Sequence, residues 1–318
     1  GKRMGNVAAT VDAACGVGPT ARHLPFSGGV SRIVISFVFA GLIFAASASA
    51  VRAQDDGRFA AILASGNSEQ KRDALAQLRL QDSEASSRIA AAALSDADEL
   101  VRAAAIGAIG RLPASEVAAL LVPLLSDKAE FIRRESAFAL GKARSVDAVV
   151  PLSNTVKNDR AAIVRAAAAN ALGKIGSESG LGALAAVIRK RPGSGNEYLR
   201  RVAAHSIGEI AEMIRFGPDA VSLTQTTPTN FLPQKYKRPV ATADPESALP
   251  AFSEVLRLLL KASADRRESD DTRREIAFAL GAIGDPAALG FLRANTSSQD
   301  DYLAEICREA LLKIRIVR

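Results

Sequence analysis

The sequence predicts an all-α fold, an α-solenoid of about six to seven stacked helix pairs, on three observations. First, the ten-residue phrase IRRESAFALG at Ile132–Gly141 returns along the chain. It recurs as Val101–Gly110 (VRAAAIGAIG), Val164–Gly173 (VRAAAANALG), Leu199–Gly208 (LRRVAAHSIG) and Thr272–Gly281 (TRREIAFALG). An Arg always stands eight residues before the Gly: Arg102, Arg133, Arg165, Arg200 and Arg273. Second, Gly110, Gly141, Gly173 and Gly208 are 31, 32 and 35 apart, and Gly208 to Gly281 is 73, about two periods. A period near 30 that holds two helices means a stacked array in which each unit buries its apolar face on its neighbour. Third, the 48% apolar content is mostly Ala and Leu with no Trp. Ala favours helix and lets helices approach closely, and alternating β-branched runs are lacking, so almost no sheet is expected.

Taken in order, an irregular first pair covers 58–64 and 71–80, a capping unit with a polar outer face. Repeat two pairs 84–94 with 99–109, repeat three 115–125 with 130–140, and repeat four 146–156 with 161–172. Repeat five pairs 179–189 with 197–213, repeat six 246–261 with 272–280, and repeat seven 286–292 with 301–314, where the Arg and Gly of the phrase are lost. At the joints, Asp96-Ala-Asp-Glu99 and Asp127-Lys-Ala-Glu130 read as capping boxes, in which Asp accepts from free amides and Glu reaches back. Gly141, Gly173 and Gly281 follow the last apolar residue of their helices and are expected as left-handed C-terminal caps. Asp285-Pro286 is a helix start. The rhythm breaks at about 216–245, where GPDAVSLTQTTPTNFLPQKYKRPVATADP carries five prolines and the basic cluster Lys235-Tyr236-Lys237-Arg238. It has no helical period and is too long for an ordinary joint.

Ahead of the array lies a leader, residues 1–53. Arg32 precedes the apolar run Ile33–Ala50, which ends in small residues. This pattern describes an export signal, and the location expected is exported, periplasmic. The alternative is an anchor in the inner membrane formed by residues 33–50, since about 18 apolar residues is the lower limit for spanning. Five of the 41 basic and one of the 34 acidic residues lie in the leader, so a formal +7 for the chain becomes +3 over the rest. That balance gives little support to a nucleic-acid partner. Of the two cysteines, Cys307 falls at a small-residue core position and is expected to be buried and inert.

The phrase VR/IR-xxAAxALGxIG, with a helix carrying Pro near its middle (Val122-Pro123-Leu124, Val150-Pro151-Leu152, Leu249-Pro250-Ala251), resembles the HEAT repeat. The nearest likeness is to the short HEAT-like class found in phycobilisome bilin lyases, and it covers about residues 55–318. The resemblance implies right-handed stacking, second helices lining the concave surface, and Asp–Arg ladders between repeats. It is a likeness of architecture, shared by enzymes, adaptors and scaffolds.

Asp96/Arg102, Asp127/Arg133 and Asp159/Arg165 recur at a spacing of six and are read as that ladder: each Arg reaches the Asp capping its own helix and the Asp of the neighbouring repeat. A second column takes the residue after each periodic Arg and the one four further on: Arg134 and Phe138, Arg201 and His205, Arg274 and Phe278, Glu305 and Glu309. An i,i+4 pair shares a helix face, so stacked second helices align these as a stripe of arginines and aromatics, types enriched where a partner anchors. The alternative places Phe138 and Phe278 in the core and the arginines in solvent. Phe231, Lys235, Tyr236, Lys237 and Arg238 of the insertion are candidate contacts on an extended backbone, or parts of a plain linker. Catalysis has weak support. His205 is the single His beyond the leader, so no His-rich metal site or multi-histidine triad can form, and no catalytic or metal-ligating residue is assigned. HEAT-like di-iron hydroxylases need repeated His-Glu pairs, whereas His205 is followed by Ser206. The expectation is a non-catalytic scaffold or adaptor of the bacterial envelope without a cofactor, holding a protein or peptide on its concave face. A membrane enters only through an uncleaved leader. The alternative is a bilin-lyase-like enzyme or subunit handling a small ligand in the groove.

Overall fold

A computed structural model of the protein describes residues 55–193, 195–217, 233 and 250–315. The leader and almost all of the insertion, including Phe231, Lys235, Tyr236, Lys237 and Arg238, lie outside the described residues. Among the described residues there are seven helix pairs and no strand. They are α1 (residues 55–65) with α2 (Ser68–Gln81), α3 (Glu84–Ala91) with α4 (Glu99–Ala108), α5 (Ala114–Leu121) with α6 (Glu130–Lys142), and α7 (Val149–Asn158) with α8 (Ala162–Ile175). Then come α9 (Leu181–Arg189) with α10 (Glu197–Phe216), α11 (Ser253–Ser263) with α12 (Asp270–Ile283), and α13 (Leu289–Ala294) with α14 (Asp301–Arg315). The second helices stack in sequence from α2 to α14, and α7, α9 and α11 do the same among the first helices. α10 packs against α12 and α9 against α11, so the insertion leaves the array unbroken.

Burial explains the repeated phrase. The residue before each periodic Arg (Val101, Ile132, Val164, Leu199 and Thr272) is buried, and so are Ala105, Ser136, Ala168, Ala203 and Ile276, four further on. The core is therefore a continuous apolar seam between the two layers.

The ladder is built partly from backbone. Arg102 Nη1 donates to the carbonyl of Asp96 (2.8 Å), Arg133 Nη1 to that of Asp127 (3.0 Å), and Arg165 Nη1 to that of Asp159 (2.7 Å). The same guanidinium then crosses to the next repeat: Arg102 to Asp127 at 3.0 Å and Arg133 to Asp159 at 2.7 Å. Lys71 opens the series on Asp96. The periodic Arg thus ties the loop before its own helix to the loop of the next repeat, a role carried by carbonyls as much as by carboxylates.

Two expectations about the joints are corrected. Asp96 and Asp127 do not form capping boxes. Their carboxylates, with that of Asp159, accept from the amide two residues on, and α4 is capped by Asp98. Capping boxes occur instead at Asn67–Gln70 and Ser83–Ser86. Gly141, Gly173 and Gly281 lie inside their helices, and the left-handed caps of α8 and α12 are Gly176 and Gly284, each with φ +76°. The phrase needs Gly because successive second helices touch backbone to backbone there. A Cβ on Gly141 would stand 2.7 Å from Ala171 Cα, and one on Gly281 would stand 2.7 Å from Ala310 Cα.

Candidate binding surface on the second helices

The stacked second helices turn one column of apolar residues to solvent. It is the position two before the periodic Arg: Leu100, Phe131, Ile163 and Tyr198, with Tyr302 in the same register of the last repeat, all between 38% and 49% exposed. Only Asp271 interrupts it. Guanidinium groups brace the rings: Arg134 lies 4.9 Å from the Phe131 ring centre, Arg201 5.2 Å from Tyr198, and Arg274 5.2 Å from Tyr302. The first two are i,i+3 neighbours on one helix, so the helix itself sets the stacking.

Two neighbouring cavities follow this column. One of about 340 Å³ is floored by Phe138, Ile163, Tyr198 and Val202 and rimmed by Arg134 and Lys174. The next, about 380 Å³, is lined by Tyr198, Arg201, His205, Arg274 and Tyr302, and by Pro233 of the insertion. Tyr198, Val202 and Asn170 belong to both, so the two form one groove across α6, α8, α10, α12 and α14.

In the wall of the second cavity His205 joins two repeats. Its Nδ1 is 2.9 Å from Glu275 on α12, its Nε2 is 3.5 Å from Glu209, and its ring stacks on Phe278 at 5.2 Å. Burial by itself would depress the imidazole, but the hydrogen bonds to Glu209 and Glu275 outweigh it and push the pKa up to about 9. Glu209 falls below its ordinary range despite burial, because His205 and Lys174 both face it.

The predicted contact residues divide. Arg134, Phe138 and Arg201 stand at the groove with exposed side chains, Arg134 paired to Glu135 and Arg201 to Asp271. Arg274 is drawn into the array itself, donating to Asp300 and Asp271 at 2.8 Å each. His205 is mostly enclosed. Phe278 requires correction: it is 2% exposed and belongs to the core. It fills the space over Gly208, where a Cβ would collide with its ring, and Lys313 Nζ lies 4.7 Å from the ring centre. Phe138, in the same register on α6, is 62% exposed. The counterpart glycine there is Gly110, which lies beyond the end of α4 and meets nothing within 4 Å, so no helix closes over Phe138.

The apolar column is not among the contact residues expected from the sequence, although its signal is there: Leu100, Phe131, Ile163 and Tyr198 each stand two residues before the periodic Arg, and Tyr302 holds the same register in the last repeat. Cys307 is buried, and burial pushes its thiol up to about 12.

The model of HEAT repeats matches residues 86–173, and that of the PBS lyase HEAT-like repeat matches residues 164–190 and 272–298. No curated protein matches the chain. Among solved structures, an engineered protein is 17% identical over 82% of this chain and 68% of that one, with a TM-score of 0.51. A second engineered protein is 19% identical over 82% and 96%, at a TM-score of 0.44. Human deoxyhypusine hydroxylase in complex with glycerol is 18% identical over 84% and 98%, at 0.32. At these identities the likeness speaks to the fold alone, and only the first is near enough to do so. The helix pairs and the ladder run in the register of these matches: residues 86–190 and 272–298 carry HEAT repeats, those at 164–190 and 272–298 being similar to the PBS lyase HEAT-like repeat.

Proposed function

We propose that the protein is a non-catalytic scaffold that holds a protein or peptide partner in the groove of its second helices. One observation carries this reading: the exposed column Leu100, Phe131, Ile163, Tyr198 and Tyr302, with arginines stacked on three of its rings. Exposed aromatics pre-ordered by cation–π contacts lose little freedom on binding, and Tyr and Arg are the side chains that anchor partners most often. The groove offers length rather than an enclosed pocket, which suits many small contacts along an extended ligand. We extend the proposal to an exported protein of a bacterial envelope, on the strength of Arg32 and the apolar run Ile33–Ala50. The mass of the mature protein tests that point.

The test of binding is affinity purification of the tagged full-length protein from its own cells, with bound proteins and small molecules both identified by mass spectrometry. The comparison is a variant carrying Phe131→Ser, Phe138→Ser and Arg134→Glu. These side chains face solvent, so its helical signal is expected to be unchanged. A reproducible protein partner that this variant loses supports the scaffold. A bound pigment or metabolite with no protein partner overturns it in favour of a bilin-lyase-like enzyme.

A further inference from the structure

On α6, Arg134, Phe138 and Lys142 follow one another at intervals of four residues and so share one face of the helix. Phe138 is the most exposed aromatic ring among the described residues, and it stands between two cations of its own helix. Beside it runs a furrow, because the residues that line the cavity there are small: Gly141 of α6 and Ala166, Ala167 and Ala171 of α8. Lys174 on α8 follows the closing glycine of its repeat, as Lys142 does on α6, so both lysines stand at the same end of the furrow. At about 340 Å³ the cavity is at the small end for small-molecule sites, which run from about 300 to 1,000 Å³. It also runs on into the next cavity through Asn170, Tyr198 and Val202. Such a space suits one bulky side chain of a longer chain rather than an enclosed ligand.

Charge selects the kind of chain. Three cations, Arg134, Lys142 and Lys174, line the cavity against one carboxylate, Glu135. Glu135 takes Nε and Nη2 of Arg134 at 3.1 and 2.9 Å, which leaves Nη1 without a partner among the described residues. Lys174 donates to Glu209 with its side chain half exposed, and exposed Lys142 has no ion-pair partner among the described residues. Exposed ion pairs are weak, so all three cations remain able to take a ligand carboxylate. At the other end of the second-helix face the sign reverses: Asp270, Asp300 and Asp301 gather around Arg274 beside Tyr302. An acidic segment is therefore attracted to α6 and α8 and repelled from α12 and α14.

We propose that this cavity seats one bulky apolar side chain of an acidic, extended segment of the partner protein, with a carboxylate held on either side of it. This rests on the scaffold reading above and adds the chemistry of the partner. Arg134 and Lys142 are eight residues apart, about 12 Å along α6. In an extended chain, residues four apart span about 13 Å and lie on one face with the residue midway between them. The motif that fits is therefore acidic–any–apolar–any–acidic. Its central side chain packs on Phe138 in the furrow, and its outer two meet Arg134 at one end and Lys142 with Lys174 at the other.

The probe is a library of random dodecapeptides displayed on phage and selected on the immobilised full-length chain. Enriched peptides are expected to carry the motif. The strongest of them, labelled and followed by fluorescence anisotropy, should bind the Phe138→Ser chain at least about 10-fold more weakly, with the helical signal unchanged. A chain carrying Arg134→Glu and Lys142→Glu together should lose about as much. A copy of the peptide with Lys at both acidic positions should prefer that doubly reversed chain to the unaltered one, a rescue that mere damage to the fold would not produce. No enrichment, enriched peptides without acidic residues, absence of the rescue, or affinity untouched by both variants overturns the proposal. A cellular partner that binds through a segment lacking acidic residues would sink this site alone and leave the scaffold standing. Enrichment of the motif while no cellular partner is found would sink the scaffold reading and not the chemistry of the cavity.

Discussion

Two side chains show how burial sets the value of a charge. Arg133 is enclosed, with Nε on Asp159 at 2.7 Å and Nη1 on the Asp127 carbonyl at 3.0 Å. Arg133→Ala strands a buried carboxylate and is expected to cost about 1–3 kcal/mol, read as a lower urea midpoint at unchanged slope. Arg111 pairs with Asp82 in open solvent, where the charges stay hydrated. Arg111→Ala should leave the midpoint unmoved, and a comparable loss at both sites would refute this account of the ladder. His205 carries a pH dependence. Its pKa of about 9 in the folded chain lies above the 6.5 of the free side chain, so the protonated form is stabilised by folding. That stabilisation is complete below about pH 6.5 and is lost as pH rises through about 9. Melting temperature should fall over that interval and fall less in His205→Gln. Equal slopes in the two proteins would remove His205 from the explanation.

At the scale of the helix, the closing glycine of the repeat sets how near successive second helices come. Gly141→Ala places a methyl against the Ala171 backbone, which has nowhere to retreat, and is expected to destabilise by about 1–3 kcal/mol. Gly182, inside α9, meets nothing within 4 Å. Gly182→Ala should stabilise by about 0.5–1 kcal/mol, because the folded conformation suits Ala and the unfolded chain has fewer states to lose. Thermal unfolding of the pair checks both signs, and two losses of similar size would mean that spacing is not what Gly141 provides. Phe138 and Phe278 make the same point without mutation: one register is exposed where the neighbouring helix stops short and buried where Gly208 receives the ring.

In the molecule as a whole, stability of a repeat array is a sum of units and joints, so the weakest joint opens first. The contact of α4 with α6 is the slightest along the second-helix stack. α4 ends at Ala108, before its glycine reaches the neighbour, and the Arg102–Asp127 bridge at 3.0 Å is the principal polar tie across this joint. Hydrogen exchange by mass spectrometry at intermediate denaturant should show residues 55–110 losing protection before α8, α10 and α12. Uniform loss across the chain would show that the array unfolds as one. On the other side, the buried pairs Arg200–Glu268 and Glu212–Lys313 sit among the joints that hold α10, α12 and α14 together.

The chain's own repetition determined the helix pairs, their order, the Asp–Arg ladder and the place of the insertion. Each is local in sequence or recurs at a fixed offset, and a 31-residue period displays it several times over. Which column of the second helices meets solvent was decided by tertiary structure. Positions one and five after the periodic Arg share a face with the position two before it, since all three fall within one side of a 3.6-residue turn. Their exposure depends on where the neighbouring helix ends, and that is a property of the adjacent repeat. So Phe278 went to the core, Arg274 to Asp300, and Leu100, Phe131, Ile163, Tyr198 and Tyr302 to the surface.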